Sequence, residues 1–398
     1  MRSIDVVVEA VVTFAGAAGF AHTLAPLRRG QQDPCFRVPG DGTIWRTSLL
    51  PTGPVTARIS RAGRDAARCV AWGSGAEEFV DMAPAMLGAA DDASDFVPLH
   101  PAVAAAHRRL PNLRLGRTGQ VLEALIPAVI EQRVPGADAF RSWRLLVSKY
   151  GTQAPGPAPP GMRVPPSAEV WRHIPSWEFH RANVDPGRAR AVVGCAQRAA
   201  SLERLVSLPA ARAAEALTSL PGVGVWTAAE TTQRVFGDAD AVSVGDYHIP
   251  KMIGWTLVGR PVDDAGMLEL LEPMRPHRHR VVRLLEASGL AREPRRGPRL
   301  PAPLSRCRPI TASAFGLGGL PVQSLRLVDG DVGARQQQCR DTDGDDRSRH
   351  HRERAGHLSD HDHDGQRRAG DTAEARHHCD HDEDARLVGH PGQLGELA

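Results

Sequence analysis

Two features of one stretch, residues 217–255, have residue types and spacing that can do chemistry. The first is the hairpin Leu220-Pro221-Gly222-Val223-Gly224, set between a helical pattern ending near Ser219 and another starting near Val225. Alternate glycines permit positive φ and let a ligand approach the backbone closely. The helix that follows opens with unpaired N–H groups and the positive end of its dipole, which together favour an anion such as a DNA phosphate. The second feature is Asp246, a short loop beyond that helix. Breaking an N-glycosidic bond builds oxocarbenium character on the sugar, and a carboxylate beside it stabilises that charge or orients an attacking water. Each feature also has a plain structural reading: a tight turn between helices, and the N-cap of a helix beginning at Tyr247, a position that suits Asp.

The chain that must position them has 398 residues, room for two or three domains and a sizeable core. Basic residues number 49 against 46 acidic ones, and only Lys149 and Lys251 are lysines. An arginine-borne charge is compatible with phosphate contacts without arguing for them. The six cysteines, at 35, 69, 195, 307, 339 and 379, show no CxxC spacing, so neither a zinc site nor a disulfide framework is indicated. The apolar run from Val6 to Phe20 is interrupted by Glu9 and lacks the flanks of a signal peptide. No stretch offers the roughly 20 apolar residues of a membrane helix. The expectation is a cytoplasmic, nucleoid-associated protein that does not engage a membrane.

Residues 1–100 read as a small β-rich α/β domain, with short apolar or alternating runs at Ile44–Ser48, Val55–Ile59 and Ala67–Trp72 parted by turn signals such as Pro51-Thr52-Gly53-Pro54. From 101 to 300 the pattern is helical, including a segment from Thr118, its expected N-cap, to Ile130 with a kink expected at Pro127. Pro155–Gly161 reads as an ordered surface loop. Residues 301–398, rich in Arg, Asp, His and Gly, have no apolar periodicity and read as a disordered tail. The fold class expected is therefore α+β, an all-α domain preceded by a β-rich one.

The string Leu-Pro-Gly-Val-Gly-Val-Trp-Thr-Ala at 220–228, followed by Asp246-Tyr247, resembles the helix-hairpin-helix superfamily of DNA repair glycosylases. Within it, the string is similar to the bacterial inducible 3-methyladenine DNA glycosylases. The resemblance spans residues 105–295 and, more weakly, the β-rich part, and the segment Val129-Ile130-Glu131-Gln132-Arg133-Val134 resembles the lead into the family's DNA-penetrating loop. It implies an all-α helix-hairpin-helix domain acting as a monomer on double-stranded DNA containing a damaged base. It implies DNA contacts from Leu220, Pro221, Gly222, Val223, Gly224, Thr227, Gln132 and Arg133, with Asp246 catalytic. Trp226, Glu230, Tyr247 and His277 fall at base-pocket positions. No cofactor is required, although carbonyls of Thr218, Leu220 and Gly222 fall where a monovalent cation is held.

Trp226 stands where strand-cutting relatives carry the lysine that forms a Schiff base, and an indole cannot do that chemistry. The expected activity is therefore a monofunctional DNA glycosylase that flips a damaged base, an alkylated purine by resemblance, and hydrolyses its glycosidic bond. Trp226 would stack on the flipped base or sit in the core. The thiolates that iron–sulfur relatives place after the helical domain are missing here. Glu230 and His277 stand where aromatics are expected and Arg133 where an apolar wedge is common, so the pocket should be more polar than the family's. The alternative is a helix-hairpin-helix module that recognises damaged or bent DNA without cutting it.

Overall fold

The structure, a computed structural model, describes residues 6–291; the expected tail lies outside them. The first strand, β1 (Val7–Thr13), leads into a short helix, α1 (Phe20–Leu24). Strands β2 (Phe36–Arg37), β3 (Ile44–Leu50), β4 (Gly53–Arg61) and β5 (Ala66–Trp72) follow, then helix α2 (Ala76–Met86). They form one antiparallel sheet of order β1-β5-β4-β3-β2. The alternating apolar residues read from the sequence explain its inner face: Val55, Ala57 and Ile59 of β4 and Ala67, Cys69 and Ala71 of β5 are fully buried against Phe79 and Ala83 of α2.

Beyond Pro101 the chain is helical, as expected: α3 (Pro101–Arg109), α4 (Val121–Glu131), α5 (Gly136–Tyr150), α6 (Ala168–His173), α7 (Ser176–Arg181), α8 (Pro186–Gln197) and α9 (Ala199–Glu203). Then come α10 (Ala210–Thr218), α11 (Val225–Val235), α12 (Ile249–Leu257), α13 (Asp264–Leu271) and α14 (Arg278–Ser288). The one departure is a pair of two-residue strands, β6 (Thr152–Gln153) and β7 (Arg163–Val164), that bracket the proline-rich loop. Two apolar clusters divide these helices. One gathers α4, α5, α8 and α11 around Leu125, Val129, Leu146 and Val192; the other gathers α3 and α12 to α14 around Val103, Ile253, Leu271 and Leu285.

Helix α4 is apolar from Val121 through Ile130 except at Glu123, and it is buried at all but Leu122, Glu123 and its last residue, Glu131. Its N-terminus is not capped as expected. Helix α4 starts after Gln120 instead of at Thr118, and the amides of Val121 and Leu122 donate to the carboxylate of Glu203 at 2.9 and 2.8 Å. A cap supplied from far along the chain leaves no local sequence signal. Burial pushes the Glu203 carboxyl above its ordinary range, against the pull of those two amides.

Removing Glu203 strands both amides in a largely buried place, so Glu203→Ala should cost about 1–3 kcal/mol in urea unfolding. The folded carboxyl has the higher pKa, so its protonated form favours the fold. That contribution is complete below the ordinary value of 4.5 and fades as pH rises through the raised folded value. The gap between wild type and variant should therefore be widest at the acid end and narrow as pH rises.

Candidate active site

Helix α10, the hairpin and α11 form the expected unit. Gly222 has φ +83°, and a Cβ there would lie 2.8 Å from that of Ala191 on α8, so conformation and space both demand glycine. Gly224 precedes α11 in extended conformation with open space where a side chain would be. No side chain caps α11, so its first amides remain available to an anion. Leu220, Pro221 and Val225 flank this end, Val225 being 62% exposed, while Val223 is buried as the hairpin's anchor in the core.

The expected penetrating segment is joined to the hairpin. Gln132 ends α4 and its Nε2 donates both to the Gly222 carbonyl at 2.9 Å and to the buried Thr227 hydroxyl at 2.8 Å. Arg133, next in the chain, is exposed and adopts φ +54°, a left-handed conformation that costs a non-glycine residue on the order of 1 kcal/mol. An expected DNA-contact position from a distant part of the sequence, Gln132, is thus bonded to the hairpin, with Arg133 next to it in the chain. Thr227, by contrast, faces Gln132 and not solvent.

Asp246 is half-buried in the loop between α11 and α12. Its Oδ1 accepts from the amides of His248 and Ile249 at 2.7 and 3.0 Å. The helix begins at Ile249 with His248 as its N-cap, two residues later than the sequence reading placed it, so Asp246 ties down the helix start from just outside instead of being its N-cap. Its Oδ2 accepts from Trp226 Nε1 at 3.0 Å. The loop is also braced at two points before it. Asp264 of α13 accepts from the Gly245 amide at 3.0 Å, and Arg278 of α14 grips Asp240 through two nitrogens at 2.9 and 2.7 Å.

A cavity of about 160 Å³ adjoins this loop, walled by Ser243 and Ile249 from either side of Asp246 and by Glu230, Gln233, Arg234 and His279. Residues 226, 230, 233 and 234 lie on one stripe of α11, at the spacing that stacks side chains along a helix face. That spacing, counted from Trp226, was the sequence signal that would have found Gln233 and Arg234; nothing comparable marked His279 or Ser243.

Of the expected pocket residues, Glu230 is in the wall, where it accepts from the Ser243 hydroxyl at 2.6 Å and pairs with Arg234 at 2.7 Å. Burial opposes the Arg234 charge, but Glu230 and Glu131 outweigh it and hold the guanidinium pKa above its ordinary value. Arg29, paired with Glu131 at 2.6 Å, experiences the opposite balance, burial prevailing and Arg234 adding to it. His277 is a correction to the sequence reading. It is buried outside the cavity wall, with Nε2 on Asp95 at 2.8 Å, Nδ1 accepting from Arg280 at 3.1 Å and its ring edge-on to Phe96. As the N-cap residue of α14 it faces the 91–96 segment, a partner the sequence gave no means to anticipate. Trp226 and Tyr247 are also outside the wall: Trp226 holds Asp246, and Tyr247 is 73% exposed beneath the Lys251 ammonium, 3.3 Å from its ring centre.

If Asp246 organises this loop, Asp246→Ala should speed amide hydrogen exchange at His248 and Ile249 by roughly tenfold to a hundredfold, the value of hydrogen bonds to a charged acceptor. Trp226→Phe, which leaves those two bonds intact, should change it far less. Glu230→Leu should cost about 3–5 kcal/mol by leaving Arg234 buried without its partner.

No protein-family model matches the sequence, and no curated protein matches it. Solved structures do match. A 3-methyladenine DNA glycosylase from Archaeoglobus fulgidus superposes with a TM-score of 0.58 at 16% identity, covering 70% of this chain and 98% of its own. The 8-oxoguanine glycosylase/lyase of Clostridium acetobutylicum in its apo-form gives 0.56 at 14%, covering 71% and 98%. MBOgg1 in complex with a low-affinity DNA ligand gives 0.57 at 13%, covering 72% and 98%. Each is covered almost entirely, so the chain has the fold of these DNA glycosylases.

Proposed function

We propose that the protein is a monofunctional DNA glycosylase that extrudes a damaged base from duplex DNA and hydrolyses its N-glycosidic bond, with Asp246 as the catalytic carboxylate. The observation that carries this reading is the state of that carboxylate. Its two oxygens offer about four lone-pair positions. Oδ1 has spent two on the amides of His248 and Ile249, and Oδ2 one on Trp226. A single acceptor position is left, on an oxygen fixed in direction. Asp246 itself does not line the cavity, but it lies on the loop after the hairpin helix, between Ser243 and Ile249, which do.

In the reaction the bond between C1′ and the base nitrogen breaks, and its electron pair leaves with the base, which takes up a proton. Positive charge grows on the sugar, and the fixed Asp246 carboxylate stabilises it without having to reorganise. Water then supplies the oxygen that bonds to C1′, its lost proton passing by way of Oδ2 to solvent. No amine is available at position 226, so no covalent adduct holds the sugar. Gly222, Gly224 and the open amides of α11 would bind a phosphate of the scissile strand, while Arg133 would enter the stack. The Leu220 and Gly222 carbonyls each already accept one hydrogen bond, from the Val223 amide and from Gln132. Each keeps a second lone pair, so with Thr218 they would fit a monovalent cation.

The resemblance implies an alkylated purine as the base. The rival reading, a module that binds damaged DNA without cutting, is favoured by the indole on Oδ2, which partly covers the acid. The two separate in one assay. Duplexes carrying single modified bases are incubated with protein and treated with hot alkali. Wild type should give breaks at the lesion, and Asp246→Asn should lose at least about a hundredfold in rate. Borohydride should trap no adduct with either protein. Lesion binding should weaken by roughly tenfold or more between about 50 and 200 mM salt as phosphate contacts release counterions. Equal binding by both proteins, with no base released from any duplex, would leave only the binding module.

A further inference from the structure

We infer that the cavity beside Asp246 reads its base by hydrogen bonding to a neutral lactam edge, an N–H next to a C=O, as found in oxidised and deaminated purines. It would not do so by stacking on a cationic alkylated base. The inference rests on the glycosylase reading and concerns which base that enzyme takes.

Three observations carry it. No Trp, Tyr or Phe is among the residues that wall the cavity, so the aromatic faces that would sandwich a cation are absent there. Second, His279 of α14 is 8% exposed, lines the cavity and forms no hydrogen bond within the protein. Neither ring nitrogen is among the sealed, unpaired polar atoms of the described residues, so the polar edge of the imidazole stays open and can pair with a ligand. Third, the same cavity is lined by acceptors whose directions are set. The Ser243 hydroxyl gives its proton to Glu230 at 2.6 Å and receives one from Gln233 Nε2 at 2.9 Å, which leaves it a single lone pair. Glu230 keeps free lone pairs on both oxygens after its bonds to Ser243 and Arg234.

A neutral imidazole presents one donor and one acceptor. With His279 donating, a base between it and the Ser243–Glu230 pair would meet a donor on one side and acceptors on the other. A lactam satisfies both: its C=O accepts and its neighbouring N–H donates. The charges around His279 act in the same sense. Burial and the guanidiniums of Arg283, Arg234 and Arg280 hold the imidazole pKa well below its ordinary value. Those arginines are themselves paired, Arg283 with Glu286, Arg234 with Glu230 and Arg280 with Asp91. The burial that does most to keep a proton off His279, with those arginines adding to it, would equally oppose a cationic base placed beside it.

The test is single-turnover base release from duplexes that differ in one nucleotide: 8-oxoguanine, hypoxanthine, or the cationic 7-methylguanine. Release of 8-oxoguanine or hypoxanthine, or both, with 7-methylguanine slower by at least about tenfold, is the expected result, and the two neutral arms tell an oxidised from a deaminated substrate. His279→Leu should then slow release by roughly 10- to 100-fold without lowering thermal stability, while His279→Asn, which keeps a donor and an acceptor, should retain more of the rate. Should the leucine variant fail to fold, Ser243→Ala is expected to give the same loss from the acceptor side. Preferred release of 7-methylguanine, or rates indifferent to both substitutions, would overturn the inference while leaving the glycosylase reading intact. Release of none of the three, with Asp246→Asn binding lesion and undamaged duplex alike, would overturn both.

Discussion

The structure depends on how a single carboxylate is held. Asp246 is fixed by three N–H donors from two different elements: two backbone amides at the start of α12 and the indole of Trp226 in the first turn of α11. An exposed aspartate on a loop would sample many rotamers and would have to reorganise as charge developed near it. Three bonds remove that freedom beforehand, which is how preorganised electrostatic stabilisation differs from a charge in water. The bonds that tie Asp246 to the start of α12 are also what hold its carboxylate rigid. The hairpin serves the same end, because it sets where α11 begins and therefore where Trp226 stands.

Around that centre the protein buries charge in pairs. Glu131 ends α4 and holds Arg29; Glu230 lines the cavity and holds Arg234; the two arginines lie close enough to oppose each other's charge. Such pairs add little net stability, since desolvation offsets most of the Coulombic gain, but losing one partner is expensive. Their consequence here is geometric. The segment carrying Gln132 and Arg133 and the wall of the cavity are both tied to ion pairs that cannot relax singly. Gln132 repeats the principle with a neutral side chain, fastening that segment to the hairpin.

The hairpin, the helix after it and Asp246 were legible in the sequence because each depends on local rules: glycine at a positive φ, helix periodicity, an aspartate at a helix start. The buried helix α4 was legible for the same reason, its apolar residues recurring at helical spacing. Glu203 was not, since a cap supplied by side-chain bonds from another helix leaves no pattern near the residues it caps. Position also misled where chemistry did not. His277 sits where a pocket aromatic is expected by resemblance, yet the residue that reaches the cavity is His279, two positions on and so on a different face of α14. The ring of Trp226 suggests a stacking surface or a core residue, and only the structure shows its indole N–H bonded to Asp246.

The central claim is that Asp246 is poised to meet positive charge on a deoxyribose. The most direct measurement compares the affinity of the protein for two duplexes, one with a cationic pyrrolidine in place of the sugar of one nucleotide and the other with a neutral tetrahydrofuran at that position. The account predicts that wild type binds the cationic duplex at least about a hundredfold more tightly, and that Asp246→Asn erases the difference while binding the neutral duplex as wild type does. Equal affinity of wild type for the two duplexes would contradict it.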